Sequence, residues 1–542
     1  MRRVACRAWL AGAPDQSYQP LLAAVPYVTM NSSQALCIII FAKPFSMARI
    51  SYKKRLVIFC DGTWCGRETG TESNIKVLAG TIGRVRFADD PSHVTAVHAI
   101  EPFQEDVIAG YQEGVGLNRT FLEYLWDGGT ASTIGEECVS VYKFIVDHYT
   151  DDYEIWMFGL SRGAFILRCV AGMINNCGIF RKEHRDNPPL TDEEVFTLSR
   201  EVYRTYRSPL DVDKPKSFRC RALRDDASRV WLEKRPIRLM CILDTVGSLG
   251  IPRINAGIGF DWPEFYDQRI STVVQEVYHA PSIHDRLWIF QPCLAYNGPG
   301  EAEVKIHQTW LPGCHYDIGR QRFRFMRKSP NLIERLFGLI PDRLGKTIYP
   351  NEVLADVALR WMLQAVQTTE AADDRMSSLI PDITMCISSL TTAIADPISS
   401  QPTGPTGSGD IYGNVLEYGP AGSLFGAIRR LGAAAVSLLN RIFPRLGDSI
   451  QDILGIKVII RILTATQDRR IPARSEGTDA SDGPSVFPYK DIEGLRTEDG
   501  GEVLFSVEQT ARLSETGGVD GGLRYPSRTY ETLQLWNRVF DA

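Results

Sequence analysis

The pentapeptide Gly159-Leu160-Ser161-Arg162-Gly163 has the G-x-S-x-G spacing. On a sharp strand-to-helix turn, that spacing exposes a serine hydroxyl at the edge of a sheet. The flanking glycines suit a turn with no room for side chains, and the helix that follows favours negative charge developing at its N-terminus. With glycine at 45 of 542 positions and serine at about 7%, a chain this long carries the pattern by chance roughly one time in four. The context therefore carries more weight than the pattern. A serine hydroxyl is a poor nucleophile at neutral pH, so it needs a base, and the base needs an orienting acid. In this architecture the chain order is serine, acid, histidine. Asp244 and His315 satisfy it. Of the eight histidines, His93, His98 and His148 precede the serine, and His184 precedes Asp244. His307 lies inside an expected strand, which leaves His279 and His284 as runners-up. Oxyanion donors are expected from the backbone N–H of Arg162 and from the turn holding Gly62 and Thr63, since such donors act on charge that appears only in the transition state.

Four apolar runs deliver these residues. Residues 54–60 end at Asp61, 153–158 end just before the elbow, 237–243 end at Asp244, and 304–310 end at the turn carrying His315. Short continuous runs of branched and aromatic residues read as strands buried on both faces. Residues 133–148, 164–173 and 351–367 carry apolar positions at helical spacing. The alternation predicts an α/β class with right-handed crossovers and an open, mostly parallel sheet with helices on both faces. In such sheets the ligand crevice lies beyond the carboxyl ends of the strands. Asp61, Ser161, Asp244 and His315 should therefore converge on one rim. For Asp61, an Asx turn closing its strand is as good a reading as a direct role.

The chain balances 60 Lys and Arg against 65 Asp and Glu, for a net charge of −5. That balance argues against a nucleic-acid binder relying on a strong positive field. With 44% hydrophobic and 23% charged residues it has ordinary globular composition. Every apolar stretch is interrupted well before the ~20 residues a membrane helix needs. Twelve cysteines include no CxxC pair, and no Cys/His spacing resembles a structural zinc site. Reduced thiols in an intracellular, cytoplasmic protein are expected, with no metal and no cofactor.

Residues 54–395 read as the catalytic domain. The first 60 residues hold one acid, Asp15, against eight bases. That composition fits an organelle-targeting segment, but a disordered extension over 1–53 is preferred, or a start at Met30 or Met47. Residues 396–424 read as a flexible loop rich in Pro, Gly, Ser and Thr. Residues 425–443 carry an apolar face edged by Arg429, Arg430 and Arg441. The face suits peripheral contact with a lipid surface, though amphipathic helices packed on a core or lidding a pocket are the commoner case. A polar linker and an irregular tail complete 425–542.

Five ordered segments resemble the DUF2235 family, which includes the catalytic domain of Tle1-type phospholipase effectors of type VI secretion and many fungal proteins. They are FCDGTW at 59–64, YQEGVG at 111–116, FGLSRGAF at 158–165, DTVGSLGIP at 244–252 and WLPGCHYDIG at 310–319. The resemblance runs from about 54 to about 367. It implies an α/β-hydrolase fold and a Ser-Asp-His triad acting on lipid esters, falling on Ser161, Asp244 and His315. The chain departs from the family pattern in having Arg320 after Gly319, where the family continues with a second glycine. The family's later His-Asp-Ser and His-Pro-Ser-Val segments are not evident, with Leu504-Phe505-Ser506-Val507 the nearest to the latter.

Two rivals compete with the hydrolase reading. The run from Val57 to Thr63 looks like the first motif of haloacid-dehalogenase phosphatases, whose nucleophilic aspartate would stand at Phe59. Phenylalanine cannot attack phosphorus. The second rival is a lipid-binding or partner-binding protein that keeps the fold without turnover, against which the intact triad residue types argue.

Overall fold

Strong β-formers at 54–60 and 153–160 build the two central strands, and everything else is layered on them. The computed structural model describes residues 53–395 apart from several loops, the longest being 115–129, 248–268 and 325–346. It also describes a ribbon of Arg470–Ala473 with Ser485–Pro488. The expected extension over 1–53, all but Lys53, lies outside the described residues, as do the 396–424 loop and the 425–443 segment.

The strands are β1 (Lys54–Cys60), β2 (Gly83–Val85), β3 (His98–Pro102), β4 (Val107–Gln112) and β5 (Tyr153–Leu160), then β6 (Ile179–Phe180), β7 (Val230–Trp231), β8 (Ile237–Leu243), β9 (Val274–Ala280) and β10 (Lys305–Gln308). Eight form one sheet in the order β10-β9-β8-β5-β1-β4-β3-β2, while β6 and β7 make a separate antiparallel ribbon. The pairings from β10 across to β4 are all parallel, and β3 runs antiparallel to both its neighbours. The α/β class and the mostly parallel sheet agree with expectation.

The helices are α1 (Asn74–Ile82), α2 (Thr130–His148), α3 (Arg162–Cys177), α4 (Asp192–Arg207), α5 (Phe218–Arg224), α6 (His315–Ile318), α7 (Glu352–Ala372) and α8 (Ile383–Ala395). Alternation along each strand splits the core in two, because successive side chains point to opposite faces. Leu56 and Ile58 of β1, Met157 of β5 and Ile242 of β8 pack with α2 and α3. Val57, Phe59, Phe158 and Leu243 pack on the other face with α1, α7 and α8. Each such side chain contributes about 1.5–3 kcal/mol when fully buried.

Three arginines fasten α7 to the sheet side. Arg55 of β1, fully buried, meets Glu370 at 3.3 Å. Arg238 of β8 reaches Asp373 at 2.8 Å and Glu276 at 3.1 Å. Arg320, just after α6, pairs with Asp356 at 2.5 Å and with Glu352, and donates to Asn74 Oδ1 at 2.9 Å. Buried ion pairs add little net stability against an apolar alternative, but removing one partner strands a charge. These pairs fix where α7 lies.

One buried acid has no such partner. Glu137 on α2 is 1% exposed, and its Oε2 has no hydrogen-bond partner among the described residues. Burial, helped by the neighbouring Glu136 charge, pushes its carboxyl well above the ordinary 4.5. The folded chain thus holds this proton more tightly than the unfolded chain, and stability is lost as pH rises above the unfolded value. Glu137→Gln keeps the shape and cannot ionise. It is expected to raise the thermal midpoint at pH 8, with the gain shrinking toward pH 4.5, as scanning fluorimetry at the two pH values would show; a gain independent of pH would contradict this assignment.

Candidate active site

Parallel register aligns the strand ends. Cys60 pairs with Gly159, Leu160 with Leu243, and Leu243 with Ala280. Asp61, Ser161 and Asp244 are each the first residue after their strands, so they leave the sheet at nearly one level. The ladder continues past the strands: Ser161 N–H donates to Leu243 O at 2.9 Å, and Asp244 N–H to Ala280 O at 2.9 Å.

At the elbow, Ser161 sits at φ 56°, ψ −120°, immediately before α3. A non-glycine residue held there costs about 1–3 kcal/mol and persists only where its surroundings enforce it. Those surroundings are close-packed. A Cβ on Gly163 would lie 2.2 Å from Cys60 O, and one on Gly159 would lie 2.8 Å from the Ala164 backbone. Asp244 is a second positive-φ residue, at 38°.

The structure brings Ser161, Asp244 and His315 together, all 2% exposed or less. His315 Nε2 lies 2.8 Å from Ser161 Oγ, and Nδ1 lies 2.7 Å from Asp244 Oδ2. With the ring proton assigned to Nδ1, the imidazole donates to Asp244 and accepts from the serine hydroxyl. Asp244 also accepts from Ser282 N–H at 2.9 Å and Ser282 Oγ–H at 3.1 Å. His315 does not lie directly at a strand end. It opens α6, seven residues after the last residue of β10, and its backbone N–H donates to Asp285 Oδ2 at 2.9 Å. Asp317 closes the same turn by accepting from Cys314 N–H at 2.9 Å.

The runner-up His279 is fully buried, accepts from Thr245 N–H at 3.4 Å and contacts Gln308 Oε1 at 3.0 Å. It supports the loop after β8 rather than approaching Ser161 as His315 does. His284 lies outside the described residues.

Arg162 is the first residue of α3, so its amide belongs to the first turn, whose N–H groups take no partner within the helix. Burial pulls its guanidinium down to about 10. In the turn after β1, the Gly62 N–H donates to Asp61 Oδ1 at 2.8 Å. Asp61 Oδ2 accepts from Ser73 Oγ–H at 2.5 Å and from the Tyr111 hydroxyl at 2.7 Å. Burial raises the Asp61 carboxyl, against the pull of these three donors and Lys76. Asp61 therefore folds back onto the amide of the next residue, not the one two positions on that an Asx turn would take, and it engages one of the two amides expected there as oxyanion donors.

Ser282, Asp285, Ser73 and Tyr111 were not singled out as site residues from sequence. Ser282 and Asp285 follow β9, whose Gln275, Glu276 and His279 interrupt the apolar pattern. The available signal was Val274, Val277, Tyr278 and Ala280, all buried. Among the described residues, no group of three or more His, Cys, Asp or Glu could hold a metal ion. No described helix is long and apolar enough to cross a membrane.

Comparison with known proteins supplies the context. A family model described as T6SS, Phospholipase effector Tle1-like, catalytic domain, matches residues 54–365. An uncharacterized protein of Saccharomyces cerevisiae, YEL023C, is 27% identical over 194 residues, or 33% of this chain and 26% of its own length. The chain thus spans about a quarter of that relative. A crystal structure of an uncharacterized protein from Pseudomonas aeruginosa aligns with a TM-score of 0.31 and 12% identity, over 73% of this chain and 55% of that one. The family match covers more than half of the 542 residues, from the first residue of β1 into α7. The chain belongs to the Tle1-like phospholipase effector family, whose catalytic domain is of the lipase or phospholipase type.

Proposed function

We propose that this chain is a serine hydrolase that cleaves carboxylic esters of lipids through an acyl-enzyme. The observation that carries the reading is the unbroken contact from Ser161 through His315 to Asp244, at 2.8 and 2.7 Å. The lipid as substrate follows from the family. In the first half-reaction Ser161 Oγ attacks the ester carbonyl carbon and its proton passes to His315 Nε2. Asp244 holds the ring tautomer and stabilises the imidazolium. The resulting oxyanion accepts from the amides of Arg162 and Thr63, because the Gly62 amide is already engaged by Asp61. His315 then protonates the leaving alcohol oxygen, and the carbon–oxygen bond breaks. In the second half-reaction His315 takes a proton from water, the hydroxide attacks the acyl carbon, and Ser161 leaves with the proton restored. The products are an alcohol and a carboxylic acid.

A phosphatase reading finds no support in the core. Phe59, where such enzymes carry the nucleophilic carboxylate, is fully buried and stacked on Phe158 with ring centroids 5.1 Å apart.

An alkyl fluorophosphonate is expected to label the chain at Ser161, as peptide mapping would locate, and Ser161→Ala should lose both labelling and hydrolysis of p-nitrophenyl butyrate. Undiminished hydrolysis by that variant would end the proposal. Asp244→Asn should lower kcat on the order of 10⁴-fold, since the amide favours the wrong imidazole tautomer. A loss of less than about tenfold would show that His315 does not depend on Asp244 in this way.

A further inference from the structure

The segment YQEG at 111–114 contributes nothing to the triad, yet four consecutive residues of it hold the turn after β1. Tyr111 hydroxyl donates to Asp61 Oδ2 at 2.7 Å. Gln112 O accepts from Asp61 N–H at 3.0 Å, extending the β1–β4 ladder by one residue. Glu113 accepts from Arg67 N–H at 2.7 Å and takes its guanidinium at 3.0 Å. Gly114 N–H donates to Cys65 O at 2.8 Å. The turn closes on itself through Cys65 N–H to Gly62 O at 2.9 Å.

Space is as restrictive as the hydrogen bonds. A Cβ on Gly114 would lie 1.6 Å from Gly62 O and 2.6 Å from Gly62 C, so any side chain there must displace the turn's backbone. On the opposite side, a Cβ on Gly163 would meet Cys60 O at 2.2 Å and Asp61 O at 2.5 Å. The backbone at 60–62 is therefore wedged between glycines 114 and 163, with the elbow on one side and the end of β4 on the other. Gln321, six residues after His315, donates to Thr63 O at 3.4 Å and closes the third side.

We propose that Tyr111, Glu113 and Gly114 are positioning residues that fix the turn after β1 so that the Thr63 amide serves as an oxyanion donor beside Ser161. The inference rests on the hydrolase reading. Donors aimed at an oxyanion act only if they need not reorganise as charge develops. A turn clamped by hydrogen bonds from four consecutive residues and by two glycines meets that demand. The arrangement also makes the Asp61 carboxylate structural, since it orders the turn and touches no reacting atom.

The test uses the full chain with Tyr111→Phe, Glu113→Gln and Gly114→Ala. Each is assayed on a short p-nitrophenyl ester and on the matching thionoester, whose sulfur accepts hydrogen bonds poorly. Gly114→Ala should lower kcat by about 10²–10³-fold with KM within threefold, the loss typical of one missing oxyanion donor. Tyr111→Phe and Glu113→Gln should give smaller losses in kcat of the same kind. In all three the ester-to-thionoester rate ratio should fall, which a merely structural defect would not cause. Wild-type kcat and ratio in folded Gly114→Ala would overturn the inference while leaving the hydrolase reading intact. If Gly114→Ala does not fold, Tyr111→Phe decides, because it removes a single hydroxyl; an unchanged ratio there also overturns it. If the wild-type chain shows no hydrolysis that depends on Ser161, the hydrolase reading fails and this inference goes with it.

Discussion

Parallel pairing between β4, β1, β5 and β8 is the constraint on which the rest of the structure depends. Parallel strands are hydrogen-bonded at matched heights, so their ends emerge together and the residue after each end faces the same rim. Glu113, Asp61, Ser161 and Asp244 are those residues, and none owes its height to a long loop. His315 is different. It reaches Ser161 from beyond an edge strand, over a path that needs Asp285, Asp317 and Arg320 to fix it. The acid and the serine are set by the sheet; the imidazole is set by side chains.

Backbone strain is found on both sides of that division, since Arg320, five residues after the imidazole, also has positive φ. Ser161 and Asp244 both have positive φ, and both sit where the chain leaves a buried strand abruptly. Their conformations are enforced by close backbone contacts and by ladder hydrogen bonds that continue beyond the strands, such as Val246 N–H to Ser161 O at 3.3 Å. The core supplies the free energy that holds these turns, since a side chain buried on each face of β1, β5 and β8 outweighs the local cost. Phe59 stacking on Phe158 spans the two strands that end at Asp61 and Ser161. The packing behind the rim thus keeps the distance between those turns.

Much of this was legible in the residues. The runs at 54–60, 153–160 and 237–243 are continuous and apolar because both sheet faces are covered, and continuous runs are what periodicity detects best. The helices at 130–148, 162–177 and 352–372 extend beyond the apolar spacing that revealed them, because their ends are polar or capped. Strands β3, β4 and β9 were missed for a related reason. Glu101 lies within the first, Glu105 just precedes the second, and Gln275, Glu276 and His279 punctuate the third, so no clean apolar run was visible. Missing β9 hid Ser282 and Asp285, the partners of Asp244 and of the His315 backbone. That Asp61 closes its own turn was legible, but its choice of the Gly62 amide was not, because an Asx turn takes the N–H two positions on.

Arg320 is a side chain held at φ 53°, just beyond the short helix that carries the imidazole. Its guanidinium joins α1 through Asn74 to α7 through Glu352 and Asp356, five residues downstream of the imidazole. The helix over 352–372 thus both covers one face of the sheet and braces the histidine's mounting. A shortened version of this protein that stopped before 352 would lose both carboxylates that pair with this guanidinium while keeping its bond to Asn74. Both of those carboxylates lie within the stretch 54–365 that the family match covers, so the brace belongs to the matched catalytic region.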